Sequence, residues 1–192
     1  MNKAIIAGVV AGTAGLAVGQ TSTVDVTLYE DAARTVVATT VDTTDTLFAR
    51  VSITSSVNVG SFEFGLQGTQ GTVSNWAYDP TTAVQFDAFG IALFPPALSG
   101  SSIDNIGGAV GFGDPGTPDF VVGDFEVSGL SVGTVSFDNL TNGGFPAAAI
   151  AGVGAIATTE RITGNTMNVV PTPGAAAILG LGGLAAARRR RA

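Results

Sequence analysis

LFARVSITSSVNVGSFEFGL, residues 47–66, is the stretch whose reading decides the fold. Leu47, Ala49, Val51 and Ile53 fall on one side of an extended chain, with Arg50 and Ser52 on the other. That period of two is the mark of a strand with one buried face. Further along, Phe62, Phe64 and Leu66 alternate with Ser61, Glu63 and Gly65. The pattern predicts two strands, 47–54 and 62–66, separated by a polar stretch.

The same pattern extends in both directions. Residues 23–29 alternate Val24, Val26 and Leu28 with Thr23, Asp25 and Thr27, and residues 35–41 are a Val/Thr run. Downstream, strands are predicted at 73–78, 84–94, 120–127 and 134–137, with a weaker pair within 147–170, about nine or ten in all. Turn chemistry separates them: Asp79-Pro80, Pro95-Pro96, Gly107-Gly108, Asp114-Pro115-Gly116 and Asn142-Gly143-Gly144. Gly and Pro content makes 99–118 a long surface loop, and no segment of the body holds a helical period. The expectation is an all-β antiparallel β-sandwich or jelly roll. GSFEFGLQ, followed a dozen residues later by Tyr78-Asp79-Pro80, is similar to the pairing in cohesin-like and related carbohydrate-module sandwiches, and this resemblance favours a sandwich over a barrel.

Both ends read as processing segments. In MNKAIIAGVVAGTAGLAVG, residues 1–19, Lys3 supplies a positive start, 4–16 an apolar helix-forming stretch, and Ala17-Val18-Gly19 a small-residue cleavage site before Gln20. The expectation is a secretory signal peptide. At the other end, VVPTPGAAAILGLGGLAAARRRRA places a proline pair, an uncharged apolar run over 174–187 and four arginines in that order. A fourteen-residue helix reaches ~21 Å, short of the ~30 Å hydrocarbon core, although arginine stems can extend its reach. Arg188, Arg189, Arg190 and Arg191 would stay cytoplasmic and place the body outside. A buried helix, a basic nucleic-acid-binding tail and a permanent single-span anchor are competing readings.

The three-part tail resembles the PEP-CTERM sorting signal of bacterial surface and exopolysaccharide-associated proteins. The matching residues are Val170, Pro171, Thr172 and Pro173, then the apolar run, then Arg188 to Arg191. Thr172 stands where that family usually carries Glu. The resemblance implies an exosortase-like processing enzyme as a partner, cleavage near the motif, and anchorage in the inner membrane by the C-terminal helix until then. Domain organisation follows: signal peptide 1–19, β-sandwich domain 20–168, sorting signal 169–192.

Composition limits the chemistry. The chain has no His and no Cys, and its only Lys is Lys3. The mature body therefore has no means of building a Ser-His-Asp triad, a Cys-His pair, a lysine Schiff base or a zinc site of nitrogen and sulfur ligands. No glycine-rich phosphate loop stands between a strand and a helix. Without the two ends the body keeps Arg34, Arg50 and Arg161 against all fifteen acids, a charge of −12 that repels nucleic acid. Fifteen acids leave a carboxylate-pair glycoside hydrolase on paper, with nothing marking a pair. Asp114, Asp119 and Asp124, along GDPGTPDFVVGD, are candidate calcium ligands, the only cofactor the sequence suggests. Trp76 and Tyr78, two apart on one strand, share a face and, if exposed, would form a stacking platform for a sugar such as exopolysaccharide.

These readings converge on a secreted, cell-surface β domain, not an enzyme, with a structural or adhesive role in the extracellular matrix. A surface carbohydrate-binding module is the alternative.

Overall fold

A computed structural model of the protein describes residues 20–87, 90, 93–140, 148–154, 156–157 and 159–172. The expected signal peptide, the apolar run and the four terminal arginines lie outside the described residues. Among those described, no helix is long and apolar enough to cross a membrane.

The chain is mostly β. Its elements run β1 (Thr21–Tyr29), β2 (Thr40–Asp42), β3 (Leu47–Gly68), β4 (Thr72–Tyr78), α1 (Pro80–Phe86), β5 (Ala97–Ser99), β6 (Ser102–Ala109), β7 (Thr117–Ser128), β8 (Gly133–Val135), β9 (Phe137–Asn139), β10 (Ala148–Gly152), β11 (Ile156–Ala157), β12 (Thr159–Gly164) and β13 (Met167–Val170). The two strands expected at 47–54 and 62–66 are one strand of 22 residues, β3. Its first half pairs antiparallel with β1 on one edge and β7 on the other. Its second half pairs with β6 on one edge and with β10 and β9 on the other. A single strand thus serves two layers: β12-β1-β3-β7-β4 along its first half, and β5-β6-β3 with β9, β10 and β11 along its second.

A strand can do this only if its inward face changes phase. Leu47, Ala49, Val51, Ile53 and Val59, all odd, are buried, and beyond them Phe62, Phe64 and Leu66, all even, are buried. The switch falls at Gly60. Ala151 of β10 lies opposite Ser61 and Gly152 opposite Val59, so Gly60 is the extra residue of a β-bulge. Glycine suits the position, because a Cβ there would meet Val153 Cα at 3.1 Å and its N at 3.2 Å. Each half therefore points its apolar side chains into one core. Phe62, Phe86 and Phe120 pack as one ring cluster, and Phe125 meets Phe137 edge to face at 5.1 Å between centroids.

Among the described strands, pairing is antiparallel except at two places. β1 and β12 run parallel, and β13 runs parallel to β2 in a separate three-stranded sheet, β2-β13-β8. The expected antiparallel arrangement is thus modified where β12 returns alongside β1 and β13 alongside β2. Where that parallel pairing stops, Asn165 continues it with its side chain. Its Oδ1 accepts from the buried Leu28 N–H at 2.7 Å, and its Nδ2 donates to the carbonyls of Leu28 at 3.4 Å and Ala38 at 3.1 Å.

Three other expectations are corrected. Residues 84–94 do not begin as a strand: Asp79 caps α1, its Oδ1 accepting from Thr81 and Thr82 N–H, with Pro80 in the first turn. Residues 99–118 are not a long loop but hold β6 and the start of β7. Gly107 and Gly108 lie inside β6 because side chains press on the backbone there; a Cβ would meet the Phe94 ring at 2.9 Å and Phe86 Cβ at 3.0 Å respectively. Of the run 35–41 only Thr40 and Val41 enter β2. Asp31 closes a loop before it, accepting from the N–H of Thr35 and Val36 and from the Thr35 hydroxyl.

Asn165→Ala removes all three bonds and leaves a buried backbone N–H without a partner. We expect a loss of about 1–3 kcal/mol in urea denaturation, and a similar loss for Asn165→Asp, which keeps the acceptor but has no donor for Leu28 and Ala38. Wild-type stability in Asn165→Ala would show that the side chain does not hold β1 to the returning chain.

Candidate functional site

The outward face of the first layer carries most of the chain's described cationic charge. Arg50 points outward from β3, opposite Thr27 of β1 and Asp124 of β7. Its Nε donates to Asp124 Oδ1 at 3.0 Å and its Nη2 to Oδ2 at 3.3 Å, a two-pronged pairing. Arg34 reaches the same carboxylate from the loop after β1, with Nε 3.2 Å from Oδ1, while its Nη1 donates to the Ala32 carbonyl at 3.0 Å. Two guanidinium groups thus share one carboxylate, leaving a local excess of one positive charge on a body of charge −12. The hydrogen bond to Asp124 and the charge of that carboxylate hold the Arg50 guanidinium above its usual value, against the opposing effect of burial. The sequence points to this cluster only through scarcity: the body has three arginines, and two converge.

Trp76 and Tyr78 do share a face, and that face looks toward the core. In β4, Ser74 lies opposite Glu126 and Ala77 opposite Asp124, so the strand holds one extra residue. Asn75 adopts φ 53° there, and its Nδ2 donates to Glu126 at 2.8 Å. The bulge shifts the inward phase from Val73 to the even positions. Trp76 stacks on the buried Phe125, with 6.1 Å between centroids, and meets Tyr78 edge to face at 87°. Two perpendicular, half-buried rings do not form a flat sugar platform. The Trp76 indole N–H is buried with no hydrogen-bond partner. The Tyr78 hydroxyl donates to the Phe94 carbonyl at 2.8 Å and accepts from Gly107 N–H at 3.1 Å, fastening β6 and the segment before β5 to β4.

The three aspartates considered for calcium are not gathered. Asp119 lies opposite Thr54 and Asp124 opposite Arg50, four residues apart along β3. Asp124 is committed to two arginines, and Asp114 accepts from Gly116 N–H at 2.7 Å in its own turn. Among the described residues no group of three carboxylates is placed to hold a metal ion.

Of the sorting motif, Val170, Pro171 and Thr172 are described; Pro173 and Arg188, Arg189, Arg190 and Arg191 lie outside the described residues. Val170 ends β13, and its carbonyl accepts from Thr43 N–H at 3.2 Å. The hydroxyls of Thr172 and Thr43 are 3.3 Å apart. Val170 and Thr172 are therefore attached to Thr43, just past the end of β2, where the central strand of the small sheet finishes.

No protein-family model matches the chain, and no curated protein matches it. Solved structures do. A chain of the CaDoc0917–CaCohA2 complex, CaCohA2 being from Clostridium acetobutylicum, aligns at a TM-score of 0.52 with 15% identity, over 79% of this chain and 100% of that one. A non-cellulosomal cohesin from the hyperthermophilic archaeon Archaeoglobus fulgidus aligns at 0.50 with 13% identity, over 81% and 95%. The type I cohesin–dockerin complex Coh-OlpC–Doc435 from Clostridium thermocellum aligns at 0.50 with 11% identity, over 78% and 95%. At these identities the likeness concerns the fold alone: the chain has a cohesin-like β-sandwich fold.

Two tests follow. Asp124→Ala leaves Arg34 and Arg50 facing each other, and we expect it to cost about 1 kcal/mol at low salt, after allowance for partial exposure, with a smaller cost in 1 M salt; unchanged stability would mean the cluster holds nothing together. Burial pushes the Tyr78 hydroxyl above its ordinary value, against the hydrogen bond at Gly107. Because the folded value is the higher one, its contribution is complete below about pH 10 and is lost as pH rises through the folded value. A melting curve followed from pH 9 to 12 should fall more steeply for wild type than for Tyr78→Phe, and parallel curves would refute the assignment.

Proposed function

We propose that the chain is an exported cell-surface protein whose β domain serves a structural or adhesive role by binding another macromolecule, and whose C-terminus is a sorting signal read by an exosortase-like enzyme. The cohesin-like fold carries the first half of this reading. Its solved neighbours include a cohesin seen in complex with a dockerin, so the frame is one that supports protein–protein binding. The outward sheet face, with Arg34, Arg50 and Asp124 at its centre, is the surface such a partner would meet.

The order of motif, apolar run and arginines carries the second half. On the body side, β13 carries the chain to Val170, the first residue of the motif, so the described fold reaches the point at which the signal would begin. Before processing, the apolar run would hold the chain in the inner membrane, with Arg188 to Arg191 on the cytoplasmic side. After processing, a body of charge −12 would remain soluble outside or be joined to exopolysaccharide. The role proposed is binding: the body has no His, Cys or Lys for a triad, a Cys-His pair or a Schiff base, and nothing marks a pair among its fifteen acids.

Intact mass spectrometry of protein recovered from the native host's surface and medium tests the reading. The expected mass is that of a chain beginning at Gln20 and ending near residues 171–174, alone or with an attached group. A mass that retains Arg188 to Arg191 would instead make the tail a permanent anchor.

A further inference from the structure

β1 begins one residue after the expected cleavage point, so cleavage would turn the residue just before it into the start of the chain. That residue is Gln20, and Thr21 beside it pairs with Thr159 of β12. The Gln20 side chain is half-buried and turned onto β3, where its Oε1 accepts from the Ser56 hydroxyl at 2.8 Å. The same Ser56 oxygen accepts from Thr21 N–H at 2.9 Å. One hydroxyl thus holds both the side-chain carbonyl of Gln20 and the backbone N–H that follows it. The side chain is thereby folded back along its own backbone. Two residues further in, Ser22 is buried and its hydroxyl donates to Ser55 Oγ at 2.9 Å, which fixes the strand behind Gln20.

A glutamine at the start of a chain carries a nucleophilic amine within ring-closing reach of its own side-chain amide. We propose that Gln20, exposed by removal of residues 1–19, closes to pyroglutamate, with the Ser56 hydroxyl holding its side-chain carbonyl for the attack. The α-amine nitrogen adds to Cδ, the Cδ–Nε2 bond breaks, and Nε2 leaves as ammonia with a proton taken from the amine. A hydroxyl donating to Oε1 stabilises the oxyanion that forms during addition. A side chain already folded back has less freedom to lose when the ring closes. The step needs no His or Lys as base, because an α-amine with an ordinary pKa of about 8 is partly neutral at physiological pH. Oε1 survives as the lactam oxygen, so its bond to Ser56 is available to the product. Closure also removes the terminal charge, and in a chain cut at both ends it leaves Arg34, Arg50 and Arg161 as the only cations. The blocked terminus would resist aminopeptidases, which suits a protein held outside the cell. This proposal rests on the reading of residues 1–19 as a signal peptide cut before Gln20.

Intact mass followed over time tests it, on a chain of residues 20–192 released at neutral pH from a removable N-terminal fusion so that Gln20 becomes its first residue. The mass should fall by one ammonia, and the product should resist Edman degradation. Treatment with pyroglutamyl aminopeptidase should then give a sequence beginning at Thr21. Ser56→Ala should slow the loss of ammonia about threefold, the worth of one exposed hydrogen bond, and Ser56→Thr should restore the rate. Ser56 is exposed, so an unchanged melting temperature checks that both variants keep the fold. A free amine persisting on the folded wild-type chain would overturn the proposal. Equal rates for wild type and Ser56→Ala would sink it as well, since closure would then owe nothing to the fold. The chain recovered from the native host separates this proposal from the export reading. A blocked terminus at residue 20 supports both. A Gln20 terminus with its amine free refutes closure and leaves the cleavage standing. A terminus elsewhere refutes the cleavage, while the released chain still decides whether Gln20 closes.

Discussion

The structure depends on β3 remaining one strand while serving two layers. Ten strands belong to its hydrogen-bonded sheet, and β1, β6, β7, β9 and β10 all pair with it directly. A regular 22-residue strand would point the same parity inward along its whole length, so one half of its apolar residues would face water. One extra residue at Gly60 prevents this. It lets Ile53 and Phe62, nine positions apart and of opposite parity, enter the same core. The bulge works only without a side chain, because the backbone of residues 152–153 from the β10 end closes over it. Losing the alternation on either side would expose several large apolar groups at roughly 1.5–3 kcal/mol each, more than such a domain's margin of stability allows.

The same device recurs, and it explains what the sequence did and did not disclose. The alternation of Leu47 to Ile53 and of Phe62 to Leu66 was legible, as was its change of parity; that one strand spans both was not, because a phase change and a turn look alike in one dimension. In β4, Asn75 shifts the phase so that Trp76 and Tyr78 face inward, and only the backbone geometry distinguishes that from an outward platform. Asp79-Pro80 suits a turn and a helix start equally, and the seven-residue helix that begins at Pro80 is too short for a helical period to be read. Gly107-Gly108 reads as a turn until the Phe94 ring and the Cβ of Phe86 are placed against it. The strand alternations were read correctly, the turn and loop signals less so, because which distant side chain presses on which backbone is not contained in them.

Site residues were less legible than strands for a related reason. Arg34 and Asp124 are 90 residues apart, and only the β3–β7 register with the loop after β1 brings them to one carboxylate. A sequence in which acids outnumber bases so heavily invites a search for cation sites among the acids. Here Asp114 and Asp124 instead satisfy backbone and guanidinium donors, which leaves little for a metal. Carboxylates in a β protein are often used in this way, to hold turns and neighbouring strands.

The attachment of the motif to the body bears on its unusual residue. Thr43 holds both Val170, through a backbone bond, and Thr172, through its hydroxyl. Thr43 sits in the turn between Asp42 and Asp45, where the Asp45 carboxylate already accepts from Asp42 N–H. A glutamate at 172, the residue usual in the sorting signals this tail resembles, would bring a third carboxylate to that turn, where no arginine pairs with Asp42 or Asp45 among the described residues. Like charges at close range on a partly shielded surface repel by about as much as exposed opposite pairs attract, and the end of β13 has only a few hydrogen bonds with which to resist. A neutral, hydroxylated residue keeps the contact with Thr43 without that repulsion. On this view Thr172 is set by the body's own electrostatics, and residues 170–172 answer to the fold whether or not the proposed sorting enzyme reads them.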